Sequence, residues 1–265
     1  MALENPAFRS QAFTGNSSVA NAVSVEELQD IYNRPTAGAA DTDRMTVEDT
    51  VVKSVAAFAV MLLGASLGWV TAATMPAVWM IAGVIGFVLA LVNIFKKEPS
   101  PALILAYAAA QGIFVGAISA TYEALYDGIV IQAVLATLAV VGVTLALFAS
   151  GKIRASKKAT KVFLIAMVGY LVFSLLNLVL SMTGAVSNPW GLRGEEIFGI
   201  PIGLLLGVLV VIMGAYSLVL DFDFIQQGVK NRAPRKYAWS GAFGIMVTVI
   251  WLYLEILRMF AIARD

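Results

Sequence analysis

Three carboxylates fall in stretches where a largely apolar chain would be expected to hold none. Glu255 lies in WLYLEILRMF (residues 251–260), and Asp221 and Asp223 lie in SLVLDFDFIQQG (residues 217–228). Carboxylate oxygens are the ligands that hard cations such as Ca²⁺ need, and they are the anionic ligands this chain has to offer. Inside a bilayer each ionised group costs about 2.5–3.5 kcal/mol on insertion scales, so it needs a partner or a purpose. Cysteine and histidine are both absent. That removes disulfides, thiolate metal sites, His or Cys haem ligation, the usual zinc chemistry, and every Ser–His or Cys–His catalytic pair. No enzymatic activity and no resident cofactor are expected. Any response near neutral pH must come from carboxylates shifted by burial or by a neighbouring acid, and two acids sharing a proton would titrate as a pair.

What holds these groups in position is set by composition. The 265 residues are 60% hydrophobic and 13% charged, with a mean hydropathy of +0.84. Soluble domains carry about 25% charged residues, so this is the composition of a membrane protein. A net charge of +1, with the basic residues gathered in loops, argues against nucleic acid as a partner. The partner this composition calls for is the lipid bilayer.

Seven apolar segments, roughly 50–73, 77–95, 101–126, 129–150, 161–183, 199–224 and 238–263, are each close to the ~20 residues needed to cross the hydrocarbon. Backbone groups in lipid must be satisfied internally, so at this length all seven are helices. The expected fold is an all-α, seven-helix transmembrane bundle over residues 48–265. Thr46 with Asp49 reads as a cap for the first span, and Pro101 and Pro201 sit where a first helical turn tolerates proline. Gly64/Gly68, Gly112/Gly116 and Gly203/Gly207 are small-residue pairs that let helix backbones approach.

Orientation follows from lysine and arginine. The loops after spans two, four and six hold Lys96 and Lys97, then Lys152, Arg154, Lys157, Lys158 and Lys161, then Lys230, Arg232, Arg235 and Lys236. Against these eleven, the loops after spans one, three and five hold Arg193 alone. The bias puts the N-terminus in the cytoplasm and, after seven spans, the C-terminus outside. Residues 1–47 form a polar tail that lacks a signal-peptide pattern and is expected to be mostly disordered. Within it, Ser24 and Glu27 could cap a short docking helix over SVEELQDIY.

The remaining charges divide by depth. Lys53 is near enough to the cytoplasmic surface to snorkel. Glu123, Asp127, Glu195 and Glu196, with Arg193 among them, belong to the outer side, as cation-attracting acids at a pore mouth or as solvated loop charges. Glu255 lies ten residues before Asp265, about 15 Å in and near the midplane. Arg258 shares its helix face but is a turn nearer the outer interface, where it can snorkel. Gln111 and Asn177, the other mid-membrane polar residues, suit interhelical hydrogen bonds.

The pattern of an Asp ending span six (LVLDFDFI) and a span seven reading WLYLEILRMF resembles the Bax inhibitor-1 (transmembrane Bax inhibitor motif) family. The opening NPAFRS and the MTVEDTVVKS before span one resemble its bacterial YccA-like branch. The resemblance runs through residues 45–265 and is most specific over 216–260. It implies a Ca²⁺-permeable, pH-sensitive leak pathway in the bacterial plasma membrane, closed by two acids near the cytoplasmic side. Asp221 stands at the family's span-six Asp, and Glu255 at the second Asp of its span-seven LYLD motif. Lys96 or Lys97 stands nearest the base thought to contact that pair, and Asp223 would be an auxiliary charge. Ca²⁺ would then be held at Asp221 and Glu255. This chain departs from the pattern in having Glu for the second Asp, Lys for the span-two Arg, and a longer segment between the two acids. Asp221 lies ~20 residues beyond Pro201, about 30 Å on and at the cytoplasmic edge, so contact with Glu255 requires helix seven to tilt or project.

Two other functions fit the residues. In a proton-coupled carrier, Glu255 would relay protons, although spans three to seven lack evident Gly/Pro-broken helix pairs. In a non-transporting regulator, the tail would bind another membrane protein. A retinal protein is disfavoured because span seven has no lysine for a Schiff base. The orientation itself is testable, since the chain has no thiol of its own. A single cysteine at Ser187 should react with a membrane-impermeant maleimide on intact cells, and one at Lys157 only after lysis; the reverse pattern would invert the topology.

Overall fold

The computed structural model describes residues 43–265 and, before them, Gln29 alone, so the proposed docking helix over SVEELQDIY lies outside the described residues. Each apolar stretch forms a helix, the one structure that lets about twenty residues cross lipid with every backbone group paired. They are α1 (Val47–Thr71), α2 (Pro76–Phe95), α3 (Pro101–Leu125), α4 (Ile129–Ala149), α5 (Lys157–Met182), α6 (Ile202–Lys230) and α7 (Ala238–Ile262). Among the described residues seven helices are long and apolar enough to cross a membrane. Thr46 caps α1, its hydroxyl accepting from the Asp49 N–H at 3.0 Å. Pro101 opens α3 as expected, whereas Pro201 precedes α6 as the last residue of a short strand. α6 also runs on to Lys230, so Asp221 and Asp223 sit within a continuous helix rather than at its end.

The tightest packing joins α1 to α3. A Cβ on Gly64 would lie 2.6 Å from the Ala109 carbonyl oxygen, and one on Gly112 would lie 3.0 Å from the Ala65 nitrogen. Cβ atoms on Gly68 and Gly116 would collide with the backbones of Ile113 and Ala65. Two glycine pairs thus face each other across one seam, where backbone rests on backbone. Gly203 and Gly207 serve differently, receiving the side chains of Ile262 and Met259 from α7.

α7 is the hub of the bundle. It packs against α1, α3, α4 and α6, and buries Met246, Leu252, Ile256 and Leu257. α5 is the opposite case, with no buried residue. Polar contacts hold it at successive levels. Thr160 bonds the Tyr216 hydroxyl of α6 at 2.9 Å, Tyr170 bonds Glu255 of α7, and Asn177 holds the following loop.

At the basic end, the residues before α1 are strapped to the α6–α7 loop. Met45 N–H donates to the Ala233 carbonyl at 2.8 Å, Arg235 N–H donates to that of Asp43 at 2.9 Å, and Met45 is buried beside Gly228. Asp49 binds Lys53 at 2.5 Å and Arg235 at 3.0 Å. Lys53 therefore does not snorkel freely; it is paired, and also donates to the Arg235 carbonyl.

The seam between α1 and α3 is open to a direct test. Gly116→Ala should destabilise the detergent-solubilised protein by about 1–3 kcal/mol, the usual cost of overpacking. Gly142→Ala, where the added methyl meets nothing within 4 Å, should be neutral or stabilising by up to ~1 kcal/mol from helix propensity. Thermal unfolding of the two variants provides the comparison.

Candidate functional site: a buried arginine–glutamate cluster

Glu255 is 4% exposed, and the residue that answers its charge comes from a loop. After α5, the chain turns at Asn188–Trp190 into a 3-10 turn (Gly191–Gly194) and then a two-stranded hairpin, β1 (Glu196–Ile197) and β2 (Ile200–Pro201). Asn177 holds the turn in place. Its amide oxygen accepts from the Leu192 N–H at 2.6 Å, and its NH₂ donates to the Trp190 carbonyl at 3.4 Å. Gly191, at φ +61°, lies against that amide where a Cβ would collide with it. The expected interhelical bond of Asn177 is thus a helix-to-loop bond. It aims Arg193 down into the bundle.

Arg193 is 5% exposed. It donates to the second carboxylate oxygen of Glu255 at 3.2 Å, to the Tyr170 hydroxyl at 2.8 Å and to the Ser174 hydroxyl at 3.4 Å. Its guanidinium also lies 5.4 Å from the ring centre of Tyr170 and 5.8 Å from that of Phe173. The other carboxylate oxygen of Glu255 accepts from the Tyr170 hydroxyl and from Arg258. Two guanidiniums therefore bracket one carboxylate, and the cluster carries a formal charge of +1. The expectation that Arg193 is a loop charge is corrected, as is that of Arg258 snorkelling away. Arg258, with 35% of its side chain exposed, still turns back to Glu255, where it meets the carboxylate oxygen that Arg193 leaves free in a charge-assisted hydrogen bond.

Asp221 occupies a separate site between α6 and α7. Its carboxylate accepts from the Thr248 hydroxyl at 2.7 Å, Thr248 lies 3.2 Å from the Ser217 hydroxyl, and a Cβ on Gly244 would stand 2.9 Å from the carboxylate. Thr248 precedes Glu255 by seven residues, two helical turns or about 10 Å. No hydrogen bond joins Asp221 to Glu255, so the structure does not bring together the two acids that the resemblance pairs. The reason is axial distance along α7. Among the described residues no lysine or arginine forms an ion pair with Asp221.

The other expected residues are dispersed. Asp223 accepts from Gln227 at 2.5 Å and lines a cleft with Lys157 and Lys161 of α5, away from Asp221. Lys96 is the C-cap that follows α2, and both it and Lys97 are exposed; neither reaches either acid. The ion pair from their loop is instead Glu98 with Lys236, at 2.8 Å. The hydrogen bond from Lys236 holds the Glu98 carboxyl below its usual value, so this small surface contribution is present near neutral pH and lost as pH falls through the depressed value. Glu123 is a structural cap, accepting from the N–H groups of Gly128 and Val130 at 2.8 and 3.0 Å. Glu195 and Glu196 are exposed around the hairpin, and the Asp127 carbonyl accepts from Arg264.

A polytopic helical membrane protein with a charged cluster and a separate carboxylate inside its bundle is the class these observations define. The chain belongs to the Bax inhibitor 1 like family, whose model matches residues 5–265. No curated protein matches it.

Removing one partner of a buried ion pair leaves the other charge uncompensated, at a cost of typically about 3–5 kcal/mol. Arg193→Gln and Glu255→Gln should each lower stability, the double variant should lose less than the sum, and Arg258→Gln should lose less than either single change. A double-mutant cycle on equilibrium unfolding measures this, and strict additivity would refute the coupling.

Proposed function

We propose that the chain is a non-enzymatic, pH-sensitive, Ca²⁺-permeable leak channel of the bacterial cell membrane, in the YccA-like branch of its family. The observation that carries this reading is the inequality of the two carboxylates. Glu255 is bracketed by two guanidiniums, whereas Asp221 has oxygen partners and no ion-paired base among the described residues.

A divalent cation passing Glu255 would meet two positive charges at close range, so the arrangement supports a closed state at that level. Asp221, with Ser217 and Thr248 beside it, supplies the oxygen-rich surroundings that a hard cation takes. The two acids then have distinct roles, Asp221 as the cation-facing group and Glu255 as the anchor of a lock whose movable part is Arg193. Without the Glu255 charge nothing would offset the mutual repulsion of the two guanidiniums, and the lock would release Arg193. Asp223 and the basic residues of its cleft act as auxiliary surface charge.

Reconstituted into vesicles loaded with a Ca²⁺ indicator, the protein should leak Ca²⁺ at a rate that depends on pH. Glu255→Gln and Arg193→Gln should raise the leak at neutral pH and flatten its pH dependence, whereas Asp221→Asn should reduce Ca²⁺ flux several-fold. Absence of Ca²⁺ flux from both the wild type and Arg193→Gln, at acidic and neutral pH alike, would sink the channel reading. Proton-driven solute uptake without Ca²⁺ flux would favour the carrier instead.

A further inference from the structure

The hairpin that follows Arg193 presents Ile197, Phe198, Gly199 and Ile200 as its tip. Phe198 is 101% exposed, and Ile197 and Ile200 are 46% and 44% exposed. Phe198 also has φ +56° and Gly199 φ +78°. A two-residue hairpin turn with left-handed backbone at both positions ordinarily carries Asn-Gly or Asp-Gly, because a bulky side chain is disfavoured there. Phenylalanine in this position has an unfavourable backbone and, in water, a fully exposed ring. Such a local outlier points from structure to function.

The surface next to it says what covers the ring. β2 runs straight into α6, whose first turns expose Leu205, Val208 and Leu209 on the side of a helix long and apolar enough to cross a membrane. The apolar tip is thus continuous along the chain with a lipid-facing surface. It lies at the end of the bundle where Trp190 and Tyr126 also sit, both contacting Asp265. Aromatic side chains favour that depth, the boundary between headgroups and acyl chains. Glu195, on the chain leading into the hairpin, is exposed, as suits the watery side of such a boundary.

We propose that residues 197–200 form a bilayer anchor, with Phe198 and its flanking isoleucines inserted among the lipids of the leaflet at the Arg193 end. The anchor ties the loop that carries Arg193 to the membrane as well as to the bundle.

The absence of cysteine allows a clean test in phosphatidylcholine vesicles. A nitrobenzoxadiazole label on Glu196→Cys, with Phe198 intact, should be quenched by lipids bearing a shallow nitroxide. The same label on Ser187→Cys, exposed earlier in the loop, should respond mainly to a water-soluble quencher. Adding Phe198→Asp to the Glu196→Cys protein should reduce lipid quenching several-fold and raise aqueous quenching to the Ser187 level. Equal aqueous access at 187 and 196 with Phe198 intact would overturn the anchor. So would a label at 196 shielded from both quenchers, which would mean that a second protein surface covers the hairpin, or lipid quenching that is unchanged by Phe198→Asp.

Discussion

The ion pair between Arg193 and Glu255 is the constraint around which one end of the molecule is arranged. A carboxylate two turns from the end of α7 cannot reach water, and hydrocarbon will not solvate it. The chain answers by folding a loop inward. Asn177 captures the loop backbone, Gly191 supplies the left-handed turn beside it, and Tyr170 closes the cluster from α5. α5 buries no residue of its own, so its attachment depends on these polar contacts and on those of Tyr216. In lipid, where apolar surface gains nothing by facing another helix, hydrogen bonds and close backbone approach must do the joining.

Close approach does that work elsewhere. Gly64 and Gly68 meet Gly112 and Gly116 so that α1 and α3 touch through their backbones, and α7 packs onto this pair and onto α4 and α6. The result is a firmly packed group of helices with a loosely packed one beside it. The charged cluster spans that boundary, with Glu255 on the hub helix, Tyr170 on the loosely held one, and Arg193 on the loop that leaves it. A group so placed is suited to move, because its partners are not all fixed to one rigid body.

The two membrane carboxylates illustrate how surroundings divide the roles of similar side chains. Glu255 is enclosed by cationic and phenolic donors, two guanidiniums and the Tyr170 hydroxyl. Asp221 rests on Thr248 and against Gly244, and it has no such cation within the described structure. Their separation along α7 makes them two sites, and the proposed division into lock and cation-facing group follows from their neighbours rather than from the acids themselves.

The seven helices, the Thr46 cap, the glycine pairs and the basic character of alternate loops were all legible in the sequence. Each is a local property, set by apolar length, by spacing of three or four residues, or by a count within one loop. Glu255 was also legible, as a charge in an apolar run. Its partner was not. Arg193 appeared only as the single base among three loops that otherwise have none, and nothing local says that a loop folds back into the bundle. That decision rests on Asn177 and Gly191 meeting across fourteen residues and on a buried carboxylate sixty-two positions away. Likewise, the equation of Asp221 with Glu255 as one gate came from similarity of motif, while their distance is fixed by the register of α6 against α7, which only side-chain packing sets. Sequence by itself determined which segments cross the membrane and which residues are costly there; tertiary structure decided which charges meet, because that depends on helix register and loop path rather than on composition.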